Sequence, residues 1–273
     1  MKIKIKNYSF LLALGVFVMI SITYISVANS AARPPKGFSI DPAAVALFNR
    51  SAKFYASQKT LRLRWKTTDE GPNSIGRSGS GITTMNFIRP DHFRVEFKNT
   101  NWHFLYLVDG KSILSLYRDG AKGKPHYSQS PLIKDKKVLE HTLSSLMWGG
   151  EVAGAMSYWL QGQHSLQAAQ LKDFRLPEMS IHYYEAKKLK RASWKGHSWD
   201  RVRVRYGYDP KSEMADDYVD MTFWLAQDNA RLGRIQQDID DRAQEHEIIE
   251  QTFNAPIPAS SFVFKIPKGA KKE

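Results

Sequence analysis

The chain contains no cysteine. That excludes disulfides, thiol nucleophiles, iron–sulfur clusters, Cys-ligated zinc and a lipid-bearing N-terminal cysteine. Negative charge is also scarce, with 27 Asp and Glu against 40 Lys and Arg, a formal charge of +13. No glycine-rich phosphate loop is present: the segment from Gly76 to Gly81 lacks both the glycine order and a following helical pattern, and reads as a hairpin tip. No Gly-x-Ser-x-Gly elbow precedes a helix, no His-x-x-x-His pair lies on a helical segment, and no internal repeat is visible. What remains is a basic chain of 273 residues, 42% hydrophobic and 12% aromatic, long enough to bury a core and too apolar for a disordered chain.

One long apolar run stands at the front. Lys2, Lys4 and Lys6 precede an uncharged stretch from Tyr8 to Ile25, and small residues follow at Ala28, Ser30 and Ala32. This pattern predicts an export signal over residues 1–32, cut after Ser30 or Ala32, with an uncleaved anchor as the alternative. Either form places the rest of the chain outside the cytoplasm, in the periplasm or cell envelope, because the lysines stay inside. Residues 1–32 carry three lysines and no acid, so the remainder stays strongly basic.

Residues 33–41 read as a Pro-containing linker. Asp41 and Pro42 then form an N-cap and a first helical position, and Val45, Phe48, Ala52 and Tyr55 recur at helical spacing to about Gln58. From Thr60 the period becomes two. Leu61, Leu63 and Trp65 alternate with basic residues, and Met85 with Phe87, then Phe93, Val95 and Phe97, then the stretch from His103 to Val108 continue the pattern. Residues 131–148 and 151–161 read as helices parted by Gly149 and Gly150. Strands resume near Ile181 and continue at 187–194, 199–206, 218–225, 232–239 and 246–253. Phe262, Phe264 and Ile266 alternate as a closing strand, and residues 271–273 form a basic tail.

Residues that could carry chemistry do not converge. Asp238, Asp240 and Asp241, with Glu245, His246 and Glu247 beyond, offer oxygen ligands, but the glycine and terminal glutamate of a calcium loop are missing. The expectation there is a solvated turn, with no metal, no cofactor and no catalytic residue. Basic residues do cluster. Arg201, Arg203 and Arg205 have period two and share a sheet face, and Lys187 and Lys188 lie in a second dense run. An exported protein meets little nucleic acid, so an anionic membrane surface is the partner expected for this basic face.

The order of helix, antiparallel strands, mid-chain helices and further strands resembles the lipoprotein-carrier (LolA/LolB-like) superfamily of the bacterial envelope. It is most similar to uncharacterised periplasmic members with a domain of unknown function. The matching residues are the helix from Ala43 to Gln58, the run from Arg89 to Glu96, Val108 to Gly110, and the closing pattern from Phe262 to Ala270. The resemblance implies a mainly β domain over residues 42–270, a strongly curved antiparallel sheet forming an incomplete β-barrel closed by the N-terminal helix and mid-chain lid helices. It implies a non-enzymatic binding protein whose hydrophobic cavity takes a lipid, an acyl chain or an acylated protein, the alternative being a regulatory or structural interaction module of the same fold. Two features depart from the family: no cysteine follows the signal, and the segment from Ser193 to Asp220 is long and charged. On this expectation Leu63, Trp65, Met85, Phe87, Phe93, Val95, Phe97, Leu105 and Leu107 line the cavity, with Leu143, Leu146 and Met147 on the lid.

Overall fold

The computed structural model describes residues 38–70, 80–99, 101–120, 122–143, 150–164, 181–208, 218–239 and 242–273. One side chain sets its first helix. Asp41 Oδ1 accepts from the Ala43 amide at 2.8 Å and Pro42 fills the first turn, so helix α1 spans Pro42–Ala56. The other oxygen, Oδ2, accepts from the Lys188 amide at 3.0 Å, which fixes the start of the helix against the sheet. Ala44, Leu47, Phe48, Ser51, Ala52 and Tyr55 form its buried stripe, while Val45 is only half-buried.

Among the described residues thirteen strands make one sheet: β1 (Phe38–Ile40), β2 (Thr60–Glu70), β3 (Gly81–Ile88), β4 (His92–Lys98), β5 (Trp102–Asp109), β6 (Ser112–Asp119), β7 (His126–Pro131), β8 (Ile181–Trp194), β9 (His197–Tyr208), β10 (Tyr218–Ala226), β11 (Leu232–Ile239), β12 (Arg242–Phe253) and β13 (Lys271–Lys272). Their spatial order is β1-β8-β9-β10-β11-β12-β2-β3-β4-β5-β6-β7-β13. The pairings are antiparallel except at the two edges, where β1 runs parallel to β8 and β13 parallel to β7. The sheet is curved but not closed into a barrel.

Helix α2 (Val138–Leu143) and helix α3 (Gly150–Leu160) lie in the middle of the chain. Together with α1 they contribute to the cluster that covers one face of the sheet, the inner face. Tyr55 of α1 stacks on Trp159 of α3 at 5.5 Å, and Phe48 meets Trp159 and Phe223 edge-on at 5.7 and 5.1 Å. Arg89 clamps both helices from below. Its Nη2 donates to the Leu160 carbonyl at 2.6 Å and its Nε to the Gln58 carbonyl at 3.1 Å, satisfying acceptors at the helix C-termini.

Five expectations are corrected. Residues 38–40, expected within a linker, pair with β8 because Ile40 packs against the core. The helix expected from 131 does not start there: Pro131 ends strand β7, Asp135 Oδ1 takes the Lys137 amide in a turn, and α2 begins only at Val138. The strands expected near 181 and at 187–194 are one strand, β8, with an irregularity between Leu189 and Ala192. Phe262, Phe264 and Ile266 do not form a strand, since Ala259–Phe262 is a 3₁₀ turn and the chain beyond it crosses the sheet without pairing. Finally, Lys271 and Lys272, expected in a tail, pair with β7.

Candidate functional site

Of the residues expected to line a cavity, six strand residues and one helix residue lie on the inner face of the sheet. Leu63, Trp65, Met85, Phe87, Phe93 and Val95 all project to this face and are 0–2% exposed. Leu143 of α2 joins them. Phe97 shares their parity on β4 but is only half-buried, with its ring against Gly81, where a side chain would not fit. Leu146 and Met147 lie outside the described residues. Leu105 and Leu107 are a correction. They belong to the opposite face of β5, whose inner residues are Tyr106 and Val108. Because β5 is apolar at every position from Phe104 to Val108, alternation in the sequence could not tell its faces apart.

One corner of the inner face is polar, although the rest of it is apolar across β8 to β11 as well, and the sequence pattern did not place this corner. Thr67 continues the Leu61–Leu63–Trp65 stripe of β2, and its Oγ1 lies 3.0 Å from Nδ1 of His246 on β12. His246 Nε2 stands 3.1 Å from Glu151 Oε2, at the start of α3, in an ion-pair contact without good hydrogen-bond alignment. Burial alone would raise the Glu151 carboxyl, but the His246 ring beside it, with the Gln237 amide, outweighs burial and holds the group below the usual carboxylate range. Gln237 of β11 also bonds Glu151. Gln237 and His246 are 3% and 4% exposed. Asp69, two residues beyond Thr67 on the same side of β2, completes the corner. His246, the first residue of the strand expected over 246–253, lies within β12, which starts already at Arg242, and it is buried and paired with Thr67. The available signal was the polar continuation of an apolar stripe, from Trp65 to Thr67 to Asp69.

On the outer face, Arg201, Arg203 and Arg205 do share a side of β9, opposite Val202 and Val204. Their charges are largely engaged. Arg203 lies 3.3 Å from Glu185, Arg205 lies 3.0 Å from Asp220, and Arg201 covers the Trp224 ring at 5.0 Å. Lys187 pairs in register with Arg203 and is exposed on the same face. Lys188 pairs with Val202, so it belongs to the opposite side of the strand, which corrects its placement on the basic face.

A second, smaller apolar cluster lies on the outer face of β5 and β6. Leu105, Leu107, Leu114 and Leu116 pack under Ile257 and Phe262 of the crossing C-terminal segment. An open pocket of about 170 Å³ remains beside them, bordered by Leu107, Asp109, Gln129, Phe262 and Ile266. Among the described residues no helix is long and apolar enough to cross a membrane, and no group of three or more His, Asp or Glu is arranged to hold a metal.

No family model matches the chain, and no curated protein does. Solved structures with a similar chain course include the lipoprotein LppX of Mycobacterium tuberculosis, at 14% identity over 80% of this chain and 99% of that one, with a TM-score of 0.39. LprF of Mycobacterium bovis is similar at 12% identity over 85% of this chain and 99% of that one, with a TM-score of 0.41. A LolA-superfamily protein of Nitrosomonas europaea is similar at 7% identity over 81% and 97% of the two chains, with a TM-score of 0.30.

Proposed function

We propose that this chain is an exported, non-enzymatic binding protein that shelters an apolar chain between the inner face of its sheet and the helices over it. The observation that carries this reading is the inner face itself. Leu63, Trp65, Met85, Phe87, Phe93 and Val95 form a continuous apolar floor in an open sheet, and α1 and α3 cover it. A sheet without barrel closure can let its helical cover move without breaking a strand pairing. Each buried methylene contributes about 0.8 kcal/mol, so ten of them provide roughly 8 kcal/mol before the costs of ordering ligand and cover.

A second reading is an interaction module with a permanently packed interior. The near-complete burial of the same six residues favours it. In both readings the basic exterior meets anionic membrane or cargo, through Lys187 and the other exposed lysines.

Delipidated protein titrated with a fluorescent acyl probe separates the two. The binding reading expects saturable uptake, a melting temperature that rises with probe concentration, loss of uptake in Trp65→Ala, and normal uptake in Phe262→Ala on the other face. A wild type that takes up no probe and gains no stability from it leaves the interaction module as the reading.

A further inference from the structure

The polar corner of the inner face is incomplete. Gln237, Gln244 and Asp69 are successive partners across β11, β12 and β2, and His246 with Thr67 forms the adjoining row. Thr67, His246 and Glu151 serve one another. Three acceptors are left over. Both carboxylate oxygens of Asp69 and the Oε1 of Gln237 are buried and have no hydrogen-bond partner. Native interiors rarely leave such atoms unpaired, and an unpartnered carboxylate is the most costly kind.

What the corner lacks can be read from what it holds. Among the described residues of the corner, Asp69 and Glu151 bring two negative charges against at most one positive charge on His246; His246 Nε2 is turned to Glu151, and the unpartnered atoms that face no such group, the Asp69 oxygens and Gln237 Oε1, are acceptors. The missing group is a cationic donor. Neighbouring strands are about 4.8 Å apart, so Asp69 and Gln237 stand roughly 10 Å apart across the corner, a span for a head group of several atoms. The apolar floor begins at the next position on β2, Trp65.

We propose that this corner receives the head group of an amphiphile carrying a primary ammonium, with its alkyl chain laid along Trp65 and Leu63. The proposal rests on the binding-protein reading above. It also sets the interior apart from the exterior. An anionic head group suits the basic outer surface, whereas inside it would face Asp69 and Glu151.

The test uses the delipidated full chain and three ligands of one chain length, dodecylamine, dodecanol and dodecanoate, each below its micellar concentration. Calorimetry is run at pH 7 in about 0.15 M salt, which screens the exterior charge. Dodecylamine should bind more tightly than dodecanoate by roughly tenfold or more, the range of a charge-assisted hydrogen bond. Asp69→Asn should abolish that preference, leave dodecanol binding unchanged, and melt at or above the wild-type temperature, since it removes a buried unpaired charge. Asp69→Ser supplies the same comparison should the first variant fold poorly.

Equal or tighter binding of dodecanoate, or a preference that survives in both Asp69 variants, overturns the head-group site and leaves the binding reading standing. Failure of all three ligands, dodecanol included, overturns both. Saturable binding of calcium alone, lost in Asp69→Asn, would make the corner a cation site and overturn the amphiphile.

Discussion

Strand β5 is buried on both sides, and the two burials differ in kind. Inward, Tyr106 and Val108 join a cluster built by three helices and most of the sheet, tied by Tyr55, whose hydroxyl donates to Gln251 and accepts from the Leu232 amide, both at 3.0 Å. Outward, Leu105 and Leu107 lie under one crossing segment, anchored by Ile257 and Phe262. That segment is held by polar contacts. Arg94 donates to the carbonyls of Ser261 and Val263 at 3.2 and 3.3 Å, and Glu96 holds Arg94 at 2.6 Å and His103 at 2.8 Å. The His103 ring lies 6.4 Å from Phe264, edge-on. Equal exposure of side chains therefore does not mean equal cooperativity: the inner cluster is woven into many elements, while the outer one depends on a single strap.

Truncation should break or confirm that contrast most strongly. Trp65→Ala should cost about 3–5 kcal/mol in global stability, the range for deleting a packed aromatic side chain. Phe262→Ala should instead expose the amides of the crossing segment to hydrogen exchange while the denaturation midpoint moves much less. If both variants shift the midpoint equally, the two clusters are one cooperative unit.

Acid should open the two clusters in different pH windows. The hydrogen bond from His103, with Arg94 adding to it and burial opposing it, lowers the Glu96 carboxyl to about 2. A depressed carboxylate stabilises the fold fully above its unfolded value and loses that contribution as pH falls toward the folded one. The strap should therefore loosen between about pH 4.5 and pH 2, by on the order of 3 kcal/mol. Glu96→Gln should lose most of that pH dependence in limited proteolysis of the strap.

His164 acts on the inner cluster at milder pH. Burial lowers it to about 4, and it packs edge-on to Phe48 with its Nε2 3.0 Å from Asn49 Oδ1. A histidine held neutral in the fold costs stability as pH drops below its unfolded value, so the loss should begin near pH 6.5 and reach about 2 kcal/mol by pH 5. Denaturant titrations at pH 7 and pH 5 should show this slope in wild type and not in His164→Phe. On acidification the helical cover should thus weaken first and the strap second, and a strap that opens before the cover would overturn that order.

The smallest effects should be on the outer face. Arg203 and Arg205 are committed to Glu185 and Asp220, whereas Lys187 is exposed on the same face. Binding to anionic vesicles should weaken by up to about 1 kcal/mol for Lys187→Gln, and less for either arginine. The reverse ranking in a flotation assay would show that the ion pairs open at a membrane.

Much of the fold was legible because its signals are local. Asp41-Pro42 and the spacing from Phe48 to Tyr55 mark α1, and the alternation of Leu61, Leu63 and Trp65 marks the inner side of β2. The parity failed where both faces are apolar, as in β5. It failed again at the strap, where Phe262 and Phe264 imitate a strand, although Phe262 fills the outer cluster and Phe264 lies under the Arg94 guanidinium at 5.8 Å. The polar corner was hidden for another reason. Asp69 and Glu151 are far in the chain from each other and from Gln237 and His246, each residue is ordinary for a strand or a helix start, and only the pairing of β2 with β12 and the packing of α3 on the sheet bring them together.

The edges of the sheet bear on how copies of this chain meet. Long bare edges invite strands of other molecules to add, which leads to fibres and aggregates. Here the strands at the two margins are the shortest in the sheet, β1 with three residues and β13 with two, and both run parallel to their neighbours. The second consists of two lysines, whose like charges repel an identical margin on another copy. An open sheet of thirteen strands is thereby kept from growing sideways by five residues.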